Sequence, residues 1–349
     1  MKIKNIKEKM KRQGLDSLVV TDRINIYYLT GFSGTAATVL LTEDADYFMT
    51  DDRYIDMATS IVEDMTLIST RDAFGEISKI TGNLNNLGFE DSLDFGSYLS
   101  LSKTSKAELI PSSQFFMDFR QIKTDNEISL IRTACQITDH AFEAVLEFIQ
   151  PGKTEIEAAN FLDFKMRELG ASGLSFDTII ASGKRSSLPH GVASRKVIEK
   201  GDVITLDFGC FYEHYASDMT RTIFVGEPDS KMREIYDTVR KANQALIDCA
   251  KVGLSYADFD KIPRDIIEVA GYGKNFSHGI GHGFGLEIHE LPYFNQKMTD
   301  NYLQTNMIVT DEPGIYISDF AGVRIEDDLL ILENGCEVLT KSPKELIVI

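Results

Sequence analysis

Histidine is scarce in this chain of 349 residues: there are six, and none precedes His140. Cysteine is scarcer still. Cys135, Cys210, Cys249 and Cys336 form no C-x-x-C pair, which argues against a zinc knuckle and a disulfide framework and suits a reduced cytoplasm. No stretch approaches a membrane span, and the basic residues 1–13 are followed by no apolar core of signal-peptide length, so a cytoplasmic location is expected. Positive charge is also short, with 36 Lys+Arg against 54 Asp+Glu and a net charge of −18. That balance disfavours nucleic acid or an anionic membrane surface as partner. No G-x-S-x-G elbow and no G-x-x-x-x-G-K-[ST] loop occurs, which removes the usual serine-hydrolase and P-loop readings.

What is present suits a soluble globular protein: 43% hydrophobic and 26% charged residues, in a chain long enough for two domains with full cores. Short β-like runs at 17–20, 26–30, 37–41 and 47–50 alternate with turn residues and helical stretches, which predicts a mixed α/β domain over 1–120. The boundary is expected near 119–124, because a long helix starts immediately afterwards. In it Ile128, Ile131, Cys135, Thr138, Phe142, Val145 and Ile149 keep a 3-4 spacing that marks one face as core, so Cys135 is packing. The second domain, 121–349, carries a weak internal echo. Gly152 and Thr154 open a helix that ends at Gly170, Gly253 and Ser255 open one that ends at Gly271, and a β-like segment follows each, at 176–181 and 276–288.

Five side chains in this domain sit where a polar group has little structural reason to be. Val203-Ile204-Thr205-Leu206 is a strand-like apolar run that ends by placing Asp207 among side chains expected to be buried. An unpaired carboxylate there is expensive to desolvate and calls for a cation. Asp218 precedes the alternating Thr220-Arg221-Thr222-Ile223-Phe224, so a hairpin would bring the two acids face to face. Glu312 stands in Thr310-Asp311-Glu312-Pro313-Gly314, and Glu326 ends the alternating Gly322-Val323-Arg324-Ile325. With His282 as a neutral nitrogen ligand, the four carboxylates balance two divalent cations. A set of oxygens with one imidazole and no thiolate favours manganese, cobalt or magnesium over a structural zinc. The other acids are more simply a solvated surface.

The glycine-histidine tract from His278 to Gly285 has no register that gives G-x-G-x-x-G, because Phe284, Leu286 and Ile288 fill the third position. Glycine at alternate positions opposes a helix, so His278 and His282 are expected on one face of an extended strand. His289-Glu290-Leu291-Pro292-Tyr293 begins like a zincin motif but has Tyr293 where the second histidine belongs. Arg324 and Glu326, two apart on a strand, share a face, and Arg324 either fixes the cluster or meets substrate. His140 and His214 are structural or surface residues by default.

Leu188-Pro189-His190-Gly191, Leu206-Asp207-Phe208-Gly209, Ser217-Asp218-Met219-Thr220-Arg221-Thr222, the tract His278 to Gly285, His289-Glu290-Leu291-Pro292, Glu312-Pro313-Gly314-Ile315-Tyr316 and Arg324-Ile325-Glu326-Asp327 occur in this order. The series resembles the Xaa-Pro peptidases, the aminopeptidase P and prolidase group of the pita-bread metallopeptidases, over nearly the whole chain. The resemblance implies an α+β fold, with a non-catalytic creatinase/prolidase-like domain over 1–120 and a catalytic pita-bread domain of duplicated halves over 121–349. It implies hydrolysis of the Xaa-Pro bond at the N-terminus of short peptides or in Xaa-Pro dipeptides, with two divalent ions, manganese first and cobalt or zinc as alternatives, and a homodimer. Asp207 and Asp218 would hold one ion, and Asp218, His282, Glu312 and Glu326 the other, with Asp218 and Glu326 bridging. A hydroxide between the ions would attack the carbonyl, and Glu312 would carry a proton to the proline nitrogen. His278 and His289 are typed to stabilise the oxyanion or meet substrate, and His190 to close over the peptide. Methionine-aminopeptidase or general aminopeptidase activity on the same fold remains the main alternative, with a creatinase-like metal-free hydrolase and a non-catalytic peptide-binding module behind it.

Overall fold

A computed structural model describes residues 2–349, which divide into two compact units, one ending at Asp118 and the other running from Phe119 to Ile349. In the first unit α1 (Lys2–Arg12) precedes six strands, β1 (Ser17–Val20), β2 (Thr38–Thr42), β3 (Asp46–Thr50), β4 (Thr66–Ser69), β5 (Asn86–Phe89) and β6 (Glu108–Pro111). Interleaved with them are α2 (Arg23–Thr30), α3 (Ile55–Ile61), α4 (Ala73–Ile80) and α5 (Phe95–Thr104), and α6 (Met117–Arg120) spans the division. The strands form one mixed sheet, β4-β3-β2-β1-β5-β6, with a core that includes Val19, Leu40, Met49 and Leu87. The run 26–30, expected as a strand, is helical. Asp22 Oδ1 accepts from the N–H groups of Ile24 (2.9 Å) and Asn25 (3.1 Å), and Gly31 closes the helix at φ 74°, so the two caps outweigh the residue preferences between them.

The second unit opens with α7 (Asp125–Phe148) and α8 (Glu155–Glu168), followed by β7 (Gly173–Leu174), β8 (Ile179–Ser182), β9 (Val203–Phe208), β10 (Cys210–Tyr212), β11 (Tyr215–Ala216) and β12 (Met219–Phe224). Then come α9 (Ser230–Cys249), α10 (Tyr256–Val269), β13 (His282–Gly283), β14 (Glu290–Tyr293), β15 (Ile308–Asp311), β16 (Gly314–Ile317), β17 (Ala321–Arg324), β18 (Asp327–Leu332), β19 (Gly335–Val338) and β20 (Ile347–Val348). The expected face of α7 is buried, Cys135 included.

The internal echo is a true structural repeat. Thr154 and Ser255 cap α8 and α10 by accepting from the N–H groups of Glu157 and Asp258, and Gly170 and Gly271 leave them at φ 109° and 88°. The Gly152 N–H donates to the Ile198 carbonyl (2.9 Å), and the Gly253 N–H to that of Leu303 at the same distance. Each helix pair then packs on an antiparallel strand pair, β9 with β12 and β15 with β18, and each half closes its own core. A two-stranded excursion interrupts each pair, β10 with β11 in the first and β16 with β17 in the second.

The β-like segment at 176–181 is a strand only from Ile179, and 276–288 is strand only at His282–Gly283. His278 therefore lies outside any strand. The glycines of this tract serve close approach instead: a Cβ on Gly281 would collide with the Thr310 carbonyl, and one on Gly283 with that of Leu291.

Candidate metal centre

The repeat determines where the acids fall. Asp207 is near the end of β9 and Glu312 directly follows β15, while Asp218 directly precedes β12 and Glu326 directly precedes β18. Each half thus supplies one carboxylate where a strand leaves the centre and one where its antiparallel partner returns. Carboxylate oxygens of Asp207, Asp218 and Glu326 all lie within 4.8 Å of one another. His282 completes the group, its Nε2 3.8 Å from Asp218 Oδ2 and 3.7 Å from Glu312 Oε1. The His282 Nδ1 lies 3.1 Å from the Gly283 carbonyl, so Nδ1 carries the proton and Nε2 turns its lone pair to the acids.

Charge is unbalanced at this point. Burial, reinforced by Glu326 and Asp207, pushes the Asp218 carboxyl well above the ordinary range, and burial with Glu312 and Asp207 does the same to Glu326. Burial raises Glu312 to about 7 and lowers His282 to about 4. Asp207 Oδ1 is buried without a hydrogen-bond partner. An orphaned oxygen, mutually repelling acids and a neutral imidazole aimed at them are what divalent cations relieve, so the residues fit such ions.

Neighbouring groups hold these side chains in place. Thr220 Oγ1 donates to Glu326 Oε2 (2.6 Å), Thr310 Oγ1 donates to Glu312 Oε1 (3.4 Å), and the Asp218 N–H donates to Asp328 Oδ2 (3.0 Å). Arg324 is buried and spends its guanidinium on Asp207 Oδ2, Thr220 Oγ1 (3.0 Å), the Tyr316 hydroxyl (2.6 Å) and the Pro189 carbonyl (3.2 Å). These bonds orient Asp207, and Arg324 also lines the cavity that opens on the cluster.

His278 belongs to the same network. Its Nδ1 donates to the Gly279 carbonyl (2.7 Å), and since Arg324 already donates to Tyr316, the tyrosine proton must point at His278 Nε2, 2.9 Å away. Burial and the Arg324 charge lower His278 to about 4, which keeps the ring neutral. Both nitrogens are occupied, so the ring has no free donor for an oxyanion. Tyr316, the centre of this network, ends the motif Glu312-Pro313-Gly314-Ile315-Tyr316 without standing out in it. A tyrosine in a strand has no sequence signal that separates packing from chemistry.

A cavity of about 480 Å³ opens on the cluster. His190 and His289 are exposed on its walls, and Phe176, Ile179, Val192, Ile288 and Phe294 supply apolar surface. Glu290 turns away from it, accepting from Lys123 Nζ (3.2 Å), from the Glu287 N–H (3.1 Å) and from Arg120, which agrees with the absence of a zincin motif.

Comparison with known proteins fits this arrangement. Residues 129–333 match the model of metallopeptidase family M24, and residues 2–122 match the creatinase/prolidase N-terminal domain. The chain belongs to family M24. It is similar to a solved Xaa-Pro dipeptidase from Bacillus anthracis at 45% identity and a TM-score of 0.97, over 100% of this chain and 99% of that one. A prolidase from Pyrococcus horikoshii shows 40% identity and a TM-score of 0.94, over 99% of each chain. An X-Pro aminopeptidase from Thermotoga maritima shows 34% identity and a TM-score of 0.91, over 98% and 100%. The fold is accordingly the pita-bread fold behind a creatinase/prolidase N-terminal domain, and the protein is a metallopeptidase whose family uses divalent metal ions.

Proposed function

We propose that the chain hydrolyses the bond between an N-terminal residue and a following proline, with residues 121–349 supplying the chemistry and 1–120 none of it. The observation that carries this reading is the convergence of four carboxylates and His282 at the floor of one cavity, with the Asp207 oxygen left unpartnered. Asp207, Asp218, His282, Glu312 and Glu326 would hold two divalent ions, manganese first. When bound, such ions polarise a carbonyl and supply a nucleophile at neutral pH.

The chain's own groups do the rest. Glu312, half-buried at the edge of the cluster with Oε1 3.7 Å from His282 Nε2, takes the proton released by the attacking water and passes it to the proline nitrogen, which has no N–H of its own. The apolar wall takes the proline ring, and the cavity's volume suits a short peptide. His289 and His190 face the open side, His289 to steady the carbonyl oxygen and His190 to close over the peptide. His278, with Tyr316 and Arg324, keeps the cluster oriented. Among the described residues no helix is long and apolar enough to cross a membrane, and all four cysteines are free thiols, which supports a cytoplasmic setting. We extend the reading to a homodimer, which light scattering checks.

Solved structures described as dipeptidase and as aminopeptidase both share the fold, so the length of the peptide is the finer question. The dipeptide reading is preferred on the higher identity. Initial rates on Ala-Pro and Ala-Pro-Ala, after chelation and again with Mn²⁺, test it. Metal-dependent cleavage of Ala-Pro is expected; cleavage of Ala-Pro-Ala alone makes the enzyme an aminopeptidase, and turnover of neither with metal restored defeats the proposal.

A further inference from the structure

The loop that carries Pro189 and His190 to the cavity leaves the sheet at Ser182, and both its ends close on one carboxylate. Glu155, the first residue of α8, is fully buried. Its Oε1 accepts from the N–H (2.7 Å) and hydroxyl (2.8 Å) of Ser182, and its Oε2 from the N–H (3.0 Å) and hydroxyl (2.6 Å) of Ser194. Arg185 Nε lies 3.2 and 3.0 Å from the two oxygens. Arg185 then reaches across the base of the loop, donating from Nη2 to the Val192 carbonyl (2.6 Å).

A carboxylate removed from water is costly unless its lone pairs are filled, and here the loop ends themselves fill them. The carboxylate and the two ends of the loop therefore satisfy one another. The second half has no carboxylate at the matching position. Tyr256 stands at the equivalent first position of α10, and its hydroxyl meets only the Met307 sulfur (3.8 Å).

We propose that Glu155 is a positioning residue for His190, holding the 183–194 loop in the conformation that captures substrate. The inference rests on the reading of His190 as a substrate contact. Glu155→Gln keeps the shape but sets an amide donor against N–H, hydroxyl and guanidinium donors, and Arg185→Gln removes only the brace. Hydrogen exchange over 183–194 should rise by about tenfold or more in Glu155→Gln while β9, β12 and the metal content stay as in the parent. KM for Ala-Pro should rise about tenfold with kcat much less affected, and His190→Ala should cost far less on the Glu155→Gln background than alone. Arg185→Gln should move the same readouts less far, and it decides the matter if Glu155→Gln fails to fold. Unchanged loop exchange overturns the proposal. So does faster exchange with KM and the His190→Ala effect left intact, because the clamp is then structural only. A parent protein that does not cleave Ala-Pro contradicts the function reading instead, and the exchange data alone then judge the clamp.

Discussion

The two halves of the catalytic unit place their acids at equivalent points but use the intervening excursions differently. Between Asp207 and Asp218, the excursion packs: the Tyr215 hydroxyl donates to Glu127 Oε1 (2.9 Å) and the Ser217 hydroxyl meets that of Thr138 (2.7 Å), both on α7. Between Glu312 and Glu326, the excursion carries Tyr316 and Arg324 to Asp207 and His278. Duplication of one hairpin scaffold thus accounts for a near-symmetric set of four carboxylates. The chemical direction of the site comes from where the halves differ, in one imidazole, one guanidinium and one phenol.

The largest expected effect breaks the symmetric part. Asp218→Asn and Glu326→Gln remove equivalent carboxylates, so each should lose at least one metal ion and lower kcat by ~10³ or more while the fold survives. Elemental analysis beside a turnover assay checks this. Full metal content and activity in either variant would mean that the two positions are not equivalent ligands.

The asymmetric part is tested by two tyrosines. Tyr316→Phe leaves Arg324 and His278 each short of a partner and should reduce kcat by about 10–100-fold, as is typical when a group behind a metal ligand is lost. Tyr215→Phe should cost about 1.5–3 kcal/mol of stability through its lost bond to a charged group and leave kcat within about twofold. Equal losses of activity in the two variants would erase the distinction between the excursions.

Much of this was legible in the chain because the signals were local. Asp207 at the end of an apolar run announces a buried charge without knowledge of any neighbour, and the 3-4 spacing of α7 announces its core face. What escaped depends on partners distant in sequence. Residues 26–30 are helical because of Asp22 and Gly31 on either side, and 276–288 is irregular because its glycines pack against Thr310 and Leu291. Glu155 is one of two acids in the first turn of α8, and only Ser182 and Ser194, distant in sequence, make it a clamp.

The smallest effect concerns pH. A raised carboxyl pKa in the folded state contributes stability that is complete below the ordinary carboxylate value and lost as pH rises through the folded one. Burial and mutual repulsion put Asp218, Glu326 and Glu312 in that class, the last near 7. His282, lowered to about 4 by burial, acts oppositely, contributing stability above its ordinary value that is lost as pH falls toward 4. Chelated protein should therefore melt at a lower temperature at pH 8 than at pH 6, and the gain from Mn²⁺ should grow by several degrees, approximately, over that interval. A gain independent of pH would show that the acids are not what the ions relieve.

Whether this metal site is built for a bond to proline is read from initial rates on Ala-Pro and Ala-Ala with saturating Mn²⁺. An apolar wall of Phe176, Ile179, Val192, Ile288 and Phe294, next to a site that need not satisfy an amide N–H, should favour Ala-Pro by about 10²-fold in kcat/KM, or about 2.7 kcal/mol. Equal rates on the two dipeptides would make the protein a general peptidase on the same scaffold.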